Sequence, residues 1–508
     1  MVKALTEILQ FSAWVTCIYY TTVNAIYTVL LIQSIWATRE HHRQLRSMRA
    51  ERNLKTPFTP PVSILVPARN EQSGIVESVR SLLSVDYPEI EVIVVNDGST
   101  DATLAQLRDY FQLRASDIPY VEIIPTSPVT GVLVSATDRR LTVLDKVSCG
   151  RKADALNAGL NMAASPFVCA VDGDSILERD ALTNILAPAR NDPRRIIASG
   201  GIVRAVNGCV MEDGQVKHVR MPRTLIEGLQ VLEYLRSFLI GRQGWARFNM
   251  LLIISGAFGV FQRDACRAVG GFRTTAIGED MDLIVRMHRH ALESGWRYKV
   301  AFVADPVCWT EVPSTVRALS LQRARWQNGL ADVLWRNRDM TLNPAYGRVG
   351  LCAMPYQWIF ECLAPLIEVF GWVTVAASAA CGLLSHRFFL VLLLGGYLFS
   401  GTLSMGAVLI EEMVYRRYNR WSDLSRLIGY CFLEPLLYRP INTIWRLGGL
   451  WDYVGRRNSW QLLQRNGFSS RQSAAPEGVA ATAKRRDRSA EPPGAAIPAD
   501  QVQRSMMG

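Results

Sequence analysis

The chain of 508 residues has ten cysteines but no Cys-x-x-Cys pair and no Cys/His grouping at zinc-ligand spacing. A structural zinc module is therefore excluded on spacing. Most of the cysteines lie in apolar runs such as Phe167-Val168-Cys169-Ala170, which suits reduced, buried thiols of a cytosolic domain better than a disulfide framework. No basic stripe with interleaved aromatics occurs in the middle of the chain, so the net charge of +11 gives no footprint for nucleic acid. The first apolar run is too long for a signal-peptide core and lacks a small-x-small cleavage site, which reads as an uncleaved anchor.

What is present is apolar residue, 49% of the chain, gathered at 8–37 and 351–450 around a middle of ordinary soluble composition. The stretch 11–36 is long enough to span a bilayer with about 30 Å of hydrocarbon. Arg39, Arg43, Arg46, Arg49, Arg52 and Lys55 follow it, and the positive-inside rule then places the next domain in the cytoplasm. Two further stretches, 356–384 and 388–410, read as spans joined by a short turn at His386 and Arg387. Arg416, Arg417 and Arg420 mark the return to the cytoplasm. The stretch 427–444 carries Glu434, Pro435, Arg439 and Pro440, which favours an interfacial or partly re-entrant segment. From 469 the composition turns to Ala, Pro, Gln and Arg, the signature of disorder. The expected organisation is an anchor with a basic linker at 1–55, a catalytic domain at 56–345, membrane and interfacial helices at 346–468, and a disordered tail at 469–508.

Within 60–175, continuous β-branched runs at 62–66, 92–95 and 167–171 alternate with helical periodicity at 75–83 and 152–163. This predicts an α/β fold with a mostly parallel sheet built from βαβ units, which binds its ligand beyond the carboxyl ends of the strands. Asp97, in Asn96-Asp97-Gly98-Ser99, and Asp172 fall at two such ends. A carboxylate at Asp97 suits hydrogen bonds from a uracil or ribose, although Asp-Gly after a strand also makes an ordinary turn. Asp172-Gly173-Asp174 sets two carboxylates within reach of one hard cation, Mg²⁺ or Mn²⁺, which would neutralise a diphosphate leaving group. The alternative there is a solvated acidic turn.

Glu279-Asp280 opens an amphipathic helix at 281–290. Asp280 is placed either to complement the helix N-terminus or to act as general base on an acceptor hydroxyl. A single base and a single displacement imply inversion at the anomeric carbon. In Gln322-Arg323-Ala324-Arg325-Trp326, Gln322 and Trp326 lie one helical turn apart. Guanidinium groups there suit diphosphate oxygens, and the indole face suits a sugar ring. Lys152 is a candidate phosphate cation, and the small residues of Ser255-Gly256-Ala257 suit close approach of an acceptor.

In this order the motifs resemble the inverting family 2 glycosyltransferases, and more narrowly the membrane-bound bacterial polysaccharide synthases of cellulose, poly-N-acetylglucosamine, hyaluronan and chitin. The carriers are Pro67-Ala68-Arg69-Asn70-Glu71, Asp97, Lys152-Ala-Asp-Ala-Leu-Asn157, Asp172 with Asp174, Gly278-Glu279-Asp280 and the 322–326 pentapeptide. The resemblance implies a GT-A fold, a UDP-sugar donor and a divalent cation at Asp174 with Asp172. It implies Asp280 as the base, and donor contacts from Pro67, Asn70, Glu71, Asp97, Lys152, Gln322, Arg323, Arg325 and Trp326. It further implies a growing glycan as acceptor at the inner membrane, with export through the membrane helices; transfer to a lipid acceptor and a non-catalytic scaffold are the alternatives. The sequence departs from cellulose-type members in having Gly before Glu279-Asp280, and in lacking a Phe-x-Val-Thr loop and an appended cyclic-di-GMP domain.

Overall fold

In the computed structural model, residues 2–51, 59–212, 215–384 and 386–455 are described. The expectations for Arg52, Lys55 and the tail at 469–508 lie outside them. The strands are β1 (Val62–Ala68), β2 (Ile90–Asp97), β3 (Leu113–Ala115), β4 (Val129–Ser135), β5 (Leu141–Lys146), β6 (Phe167–Val171), β7 (Ile176–Leu177), β8 (Ile196–Ala205), β9 (Val210–Glu212), β10 (Gln215–His218), β11 (Phe258–Gln262) and β12 (Lys299–Thr310). Ten of them form one sheet in the order β3-β4-β5-β2-β1-β6-β11-β8-β12-β7, and β9 and β10 make a separate hairpin.

The parallel block predicted from the apolar runs is present as β5-β2-β1-β6. Most of its residues are buried, as continuous apolar strands covered on both faces must be. The sheet as a whole is mixed: β4 runs antiparallel to β3 and β5, β7 to β12, and in the middle β11 runs antiparallel between β6 and β8. That reversal decides where the site lies. Phe258 pairs with Val171, so the residues just before β11 arrive beside those just after β6.

The N-terminal helix Val2–Glu51 exposes Phe11, Trp14, Ile18, Val29, Ile32 and Trp36, an apolar face with no protein cover. Its opposite face docks on the catalytic domain, where a Cβ on Gly244 would lie 3.0 Å from the Leu30 carbonyl oxygen. Among the described residues two helices are long and apolar enough to cross a membrane, Thr6–Glu40 and Leu393–Val414. A third crossing exists if Val349–Cys362 and Ala364–Ala380 count as one span; the pair bends by 48°. The single helix expected over 356–384 is broken at Leu363, where Pro365 enters the first turn of the second piece and cannot donate its amide.

The stretch 427–444 lies across a helix, a π-helical turn and a second helix, spanning Trp421–Leu433, Glu434–Tyr438 and Arg439–Val454. Glu434 is buried and paired with Arg236 at 3.0 Å and Arg439 at 3.2 Å. The charge that argued against a lipid-facing span is thus neutralised against the catalytic domain. Further pairs tie membrane helix ends to that domain: Glu40 with Arg247, Glu411 with Arg204 at 2.6 Å, and Arg417 with Glu178 at 2.7 Å.

One core residue gives the domain an acid-sensitive element. His288 is buried, with Nδ1 2.8 Å from the Tyr298 hydroxyl and Nε2 2.9 Å from the Leu251 carbonyl oxygen. Burial pushes its pKa down to about 4. The unfolded chain takes up the proton near pH 6.5, and the folded one only near 4. Stability is therefore full above 6.5 and falls on acidification through that window, by about 3 kcal/mol in all. Thermal unfolding in detergent should show a drop between pH 7 and pH 5 that is smaller in His288→Gln. Equal drops in the two proteins would remove His288 as its source.

Candidate active site

The carboxyl ends of β1, β2 and β6 point the same way, so Ala68, Asp97 and Val171 end on one edge of the sheet. The Pro67–Glu71 loop is fastened there to the loop after β2. Asn70 adopts φ 58°, a left-handed conformation that asparagine tolerates better than most residues. Its Oδ1 accepts from the Thr100 amide at 2.8 Å, its own amide donates to Ser99 Oγ at 3.1 Å, and the Glu71 amide donates to Thr103 Oγ1 at 2.9 Å. The Pro67 carbonyl oxygen lies 3.2 Å from where a Cβ on Gly173 would stand, which is why glycine separates Asp172 from Asp174.

Asp97 is buried and accepts from Lys146 Nζ at 3.0 Å and from Ser148 Oγ at 2.9 Å. Lys146 also donates to Asp154 at 2.5 Å and to the Val147 carbonyl oxygen at 2.8 Å. Burial works against the Lys146 ammonium, yet the bonds to Asp154 and Asp97 outweigh it and hold its pKa above the ordinary lysine value. The sequence reading missed Lys146. Its only signal was a cation at the end of the alternating run Leu141-Thr142-Val143-Leu144.

Lys152 opens the helix Lys152–Met162 and reaches across the strand ends. It pairs with Asp172 and donates to the Gly256 carbonyl oxygen at 2.9 Å. Burial disfavours this charge also, but Asp172, Glu279 and Asp280 raise its pKa. The Gly256 amide in turn donates to Asp280 Oδ2 at 3.1 Å. A Cβ on Gly256 would stand 3.2 Å from Lys152 Nζ, so the glycine admits the lysine. Asp172, Lys152, Gly256 and Asp280 therefore form one connected line from β6 to the helix Glu279–Glu293. Burial raises the pKa of neighbouring Glu279, with Lys152 opposing and Asp280 adding to the rise.

The 322–326 residues sit on the helix Val316–Arg336, which leaves the same edge after β12. Arg323, expected at the diphosphate, is buried; its Nη2 donates to Glu233 at 2.6 Å and its guanidinium lies 4.2 Å over the Trp326 ring. Tyr438 donates to the same Glu233 oxygen at 2.7 Å. Arg325 and Trp326 are exposed, and Gln322 is half-buried. Among the described residues no hydrogen bond joins those three to the Asp172–Asp280 line.

No group of three or more His, Cys, Asp or Glu side chains converges to hold a metal among the described residues. Asp172 and Asp174 are nevertheless a donor set that Mg²⁺ accepts, since it commonly takes one or two carboxylates and completes its shell with substrate phosphates and water.

Residues 63–265 match the model of "Glycosyl transferase family 2", and residues 167–400 that of "Glycosyl transferase family group 2". The poly-beta-1,6-N-acetyl-D-glucosamine synthase of Staphylococcus epidermidis is 25% identical over 276 residues, 54% of this chain and 56% of that protein. The matched region thus spans little more than half the length of that relative. Among solved structures, the mannosyltransferase PcManGT from Pyrobaculum calidifontis, in complex with GDP-Man and Mn²⁺, aligns over 84% of this chain and all (100%) of its own at 21% identity, with a TM-score of 0.47. S. aureus TarS 1-349 in complex with UDP-GlcNAc aligns over 80% of this chain and 95% of its own at 14% identity, with a TM-score of 0.35. The two family matches overlap across 167–265, the segment that carries β6 and Gly256, and together they run from 63 to 400; this chain is a family 2 glycosyltransferase.

Proposed function

We propose that this enzyme is a membrane-anchored, inverting transferase that moves a sugar from a UDP-sugar, of the UDP-N-acetylglucosamine or UDP-glucose type, onto a growing polysaccharide. The observation that carries the reading is the line from Asp172 through Lys152 and Gly256 to Asp280. It sets Asp172, one of the two candidate cation ligands, and a candidate base at opposite ends of one short bridge. The curated relative with 25% identity, a poly-beta-1,6-N-acetyl-D-glucosamine synthase, supports the donor and the polymer.

In this reading Asp97 and the Asn70–Glu71 loop hold the uridine. Lys152 and Arg325 face the diphosphate, Gln322 and Trp326 receive the acceptor end, and Arg323 holds their helix in place. Asp172 and Asp174 would hold Mg²⁺ or Mn²⁺, which when bound offsets diphosphate charge. Asp280 takes the proton of the acceptor hydroxyl while that oxygen attacks the anomeric carbon, and UDP departs with the bonding electrons. Glu40, Glu411 and Arg417 all meet the catalytic domain, so the membrane helices present their ends to it on one side. With the basic residues following 36, that side is the cytoplasm of a multi-pass inner-membrane protein.

Radiolabelled donor and purified membranes test the product. A long polysaccharide is expected, and a short product soluble in organic solvent would replace it with glycolipid synthesis. The cation assignment has its own measurement. Mn²⁺ should tighten UDP binding to the wild type by about tenfold or more, equivalent to 1.4 kcal/mol. Asp174→Ala should lose that gain; an unchanged gain would move the cation elsewhere.

A further inference from the structure

Two lysines meet aspartates beyond the carboxyl ends of β2, β5 and β6, and they are held differently. Lys146 donates to Asp97, Asp154 and the Val147 carbonyl oxygen, which uses all three N–H groups of an ammonium, and its side chain is 0% exposed. Lys152 donates only to Asp172 Oδ1 and the Gly256 carbonyl oxygen, and the side chains of the Lys152–Asp172 pair are 21% and 25% exposed. Among the described residues the third N–H of Lys152 has no acceptor, in a pair that solvent reaches. The first lysine is locked, and the second is free to change partners.

Which group of the second pair moves follows from how each is tethered. Asp172 stands in a tight turn, where the Ser175 amide donates to its carbonyl oxygen at 3.0 Å. The same turn lies against the Pro67 carbonyl oxygen, 3.2 Å from where a Cβ on Gly173 would stand. Lys152 carries its charge on a flexible four-carbon stem. A divalent cation on Asp172 competes with the ammonium for one carboxylate, and the two positive charges repel at that range. A diphosphate resolves the competition, because it offers the ammonium charged oxygens of its own.

We propose that Lys152 is an exchangeable counter-ion: it withholds Asp172 from the divalent cation until a nucleotide diphosphate draws the ammonium away, so that cation and nucleotide bind as one coupled event. Towards the cation Lys152 is a positioning residue, since it acts through Asp172. The coupling is reciprocal: the factor by which UDP tightens Mn²⁺ equals the factor by which Mn²⁺ tightens UDP. The inference rests on the proposed cation pair Asp172 and Asp174.

The test uses the full chain in detergent and follows free Mn²⁺ by electron paramagnetic resonance, with and without saturating UDP. In the wild type, Mn²⁺ alone should bind about tenfold or more weakly than Mn²⁺ with UDP, an ordinary size for coupled sites. Lys152→Met should bind Mn²⁺ alone about tenfold more tightly than the wild type, and match it within about threefold once UDP is present. That gain separates the exchange from a structural role, because a damaged site loses its cation. Lys152→Arg keeps the charge and should stay within about threefold of wild type for Mn²⁺ alone; a tenfold tightening there too would overturn the proposal. Mn²⁺ affinity unchanged in Lys152→Met without UDP would also overturn it. So would equal Mn²⁺ affinities of the wild type with and without UDP, a result that needs no variant to fold. Wild-type Mn²⁺ binding by Asp174→Ala in the presence of UDP would instead remove the cation pair beneath the inference, so the two failures are told apart.

Discussion

Asp280→Asn is expected to bind UDP as the wild type does and to transfer sugar about 10³-fold more slowly. The substitution keeps the size of the side chain, and the amide oxygen still accepts from the Gly256 amide, which in the wild type donates to Asp280 at 3.1 Å. The connection to Lys152 through Gly256 therefore persists, and with it the donor side of the site. What disappears is a basic oxygen able to take the acceptor proton, and positioned general bases contribute about 10²–10⁴ in rate. The lost charge at the helix N-terminus costs at most about 1 kcal/mol and does not touch the chemistry. UDP titration and single-turnover transfer, run on the same preparation, separate the two effects. A turnover within tenfold of wild type would remove Asp280 as base, and a parallel loss of UDP affinity would make it structural.

Lys146→Met carries the largest expected cost in stability. The ammonium is fully enclosed, and it is the cation between two buried carboxylates, Asp97 at 3.0 Å and Asp154 at 2.5 Å. Methionine fills a similar volume but leaves both carboxylates facing each other without a counter-charge. Breaking a buried pair by removing one partner costs about 3–5 kcal/mol, far more than the pair contributes against an apolar replacement of the whole group. Thermal unfolding should fall by roughly 6 °C or more. UDP affinity should weaken as well, because Asp97 loses one of the two donors that fix it. A melting temperature within about 2 °C of wild type would mean that water or Ser148 already screens the pair.

The legible parts of this protein are those where one stretch of chain decides its own environment. Phe167–Val171 and Ile75–Leu83 form a strand and a helix over the residues their patterns predict, because full burial and a single apolar face each leave a period in the sequence. Asp97, Asp172 and Asp280 were visible because each follows or opens such an element. Lys146 was not: its meaning comes from Asp97, brought to it by strand pairing, and from Asp154 on the helix that follows. Arg323 shows the same limit from the other side. The pentapeptide displays it as a free guanidinium, whereas Glu233, which holds it, is 90 residues upstream. The broken helix at Leu363 was foreshadowed by Pro365 in an otherwise spanning run. The antiparallel entry of β11 has no marker in its five residues.

The membrane-side helix Arg439–Val454 touches the helix Val316–Arg336 with no side chain between them. A Cβ on Gly449 would fall 2.2 Å from the carbonyl oxygen of Ala324, two positions before Trp326. Any larger residue at 449 must shift one helix against the other and carry Trp326 with it. Two sequence regions that look unrelated, one membrane-side and one catalytic, are thus under a single constraint. Across natural variants of this chain, a bulkier residue 449 should survive only where the backbone around 324 has found a second position. The lineage would record that contact as paired change.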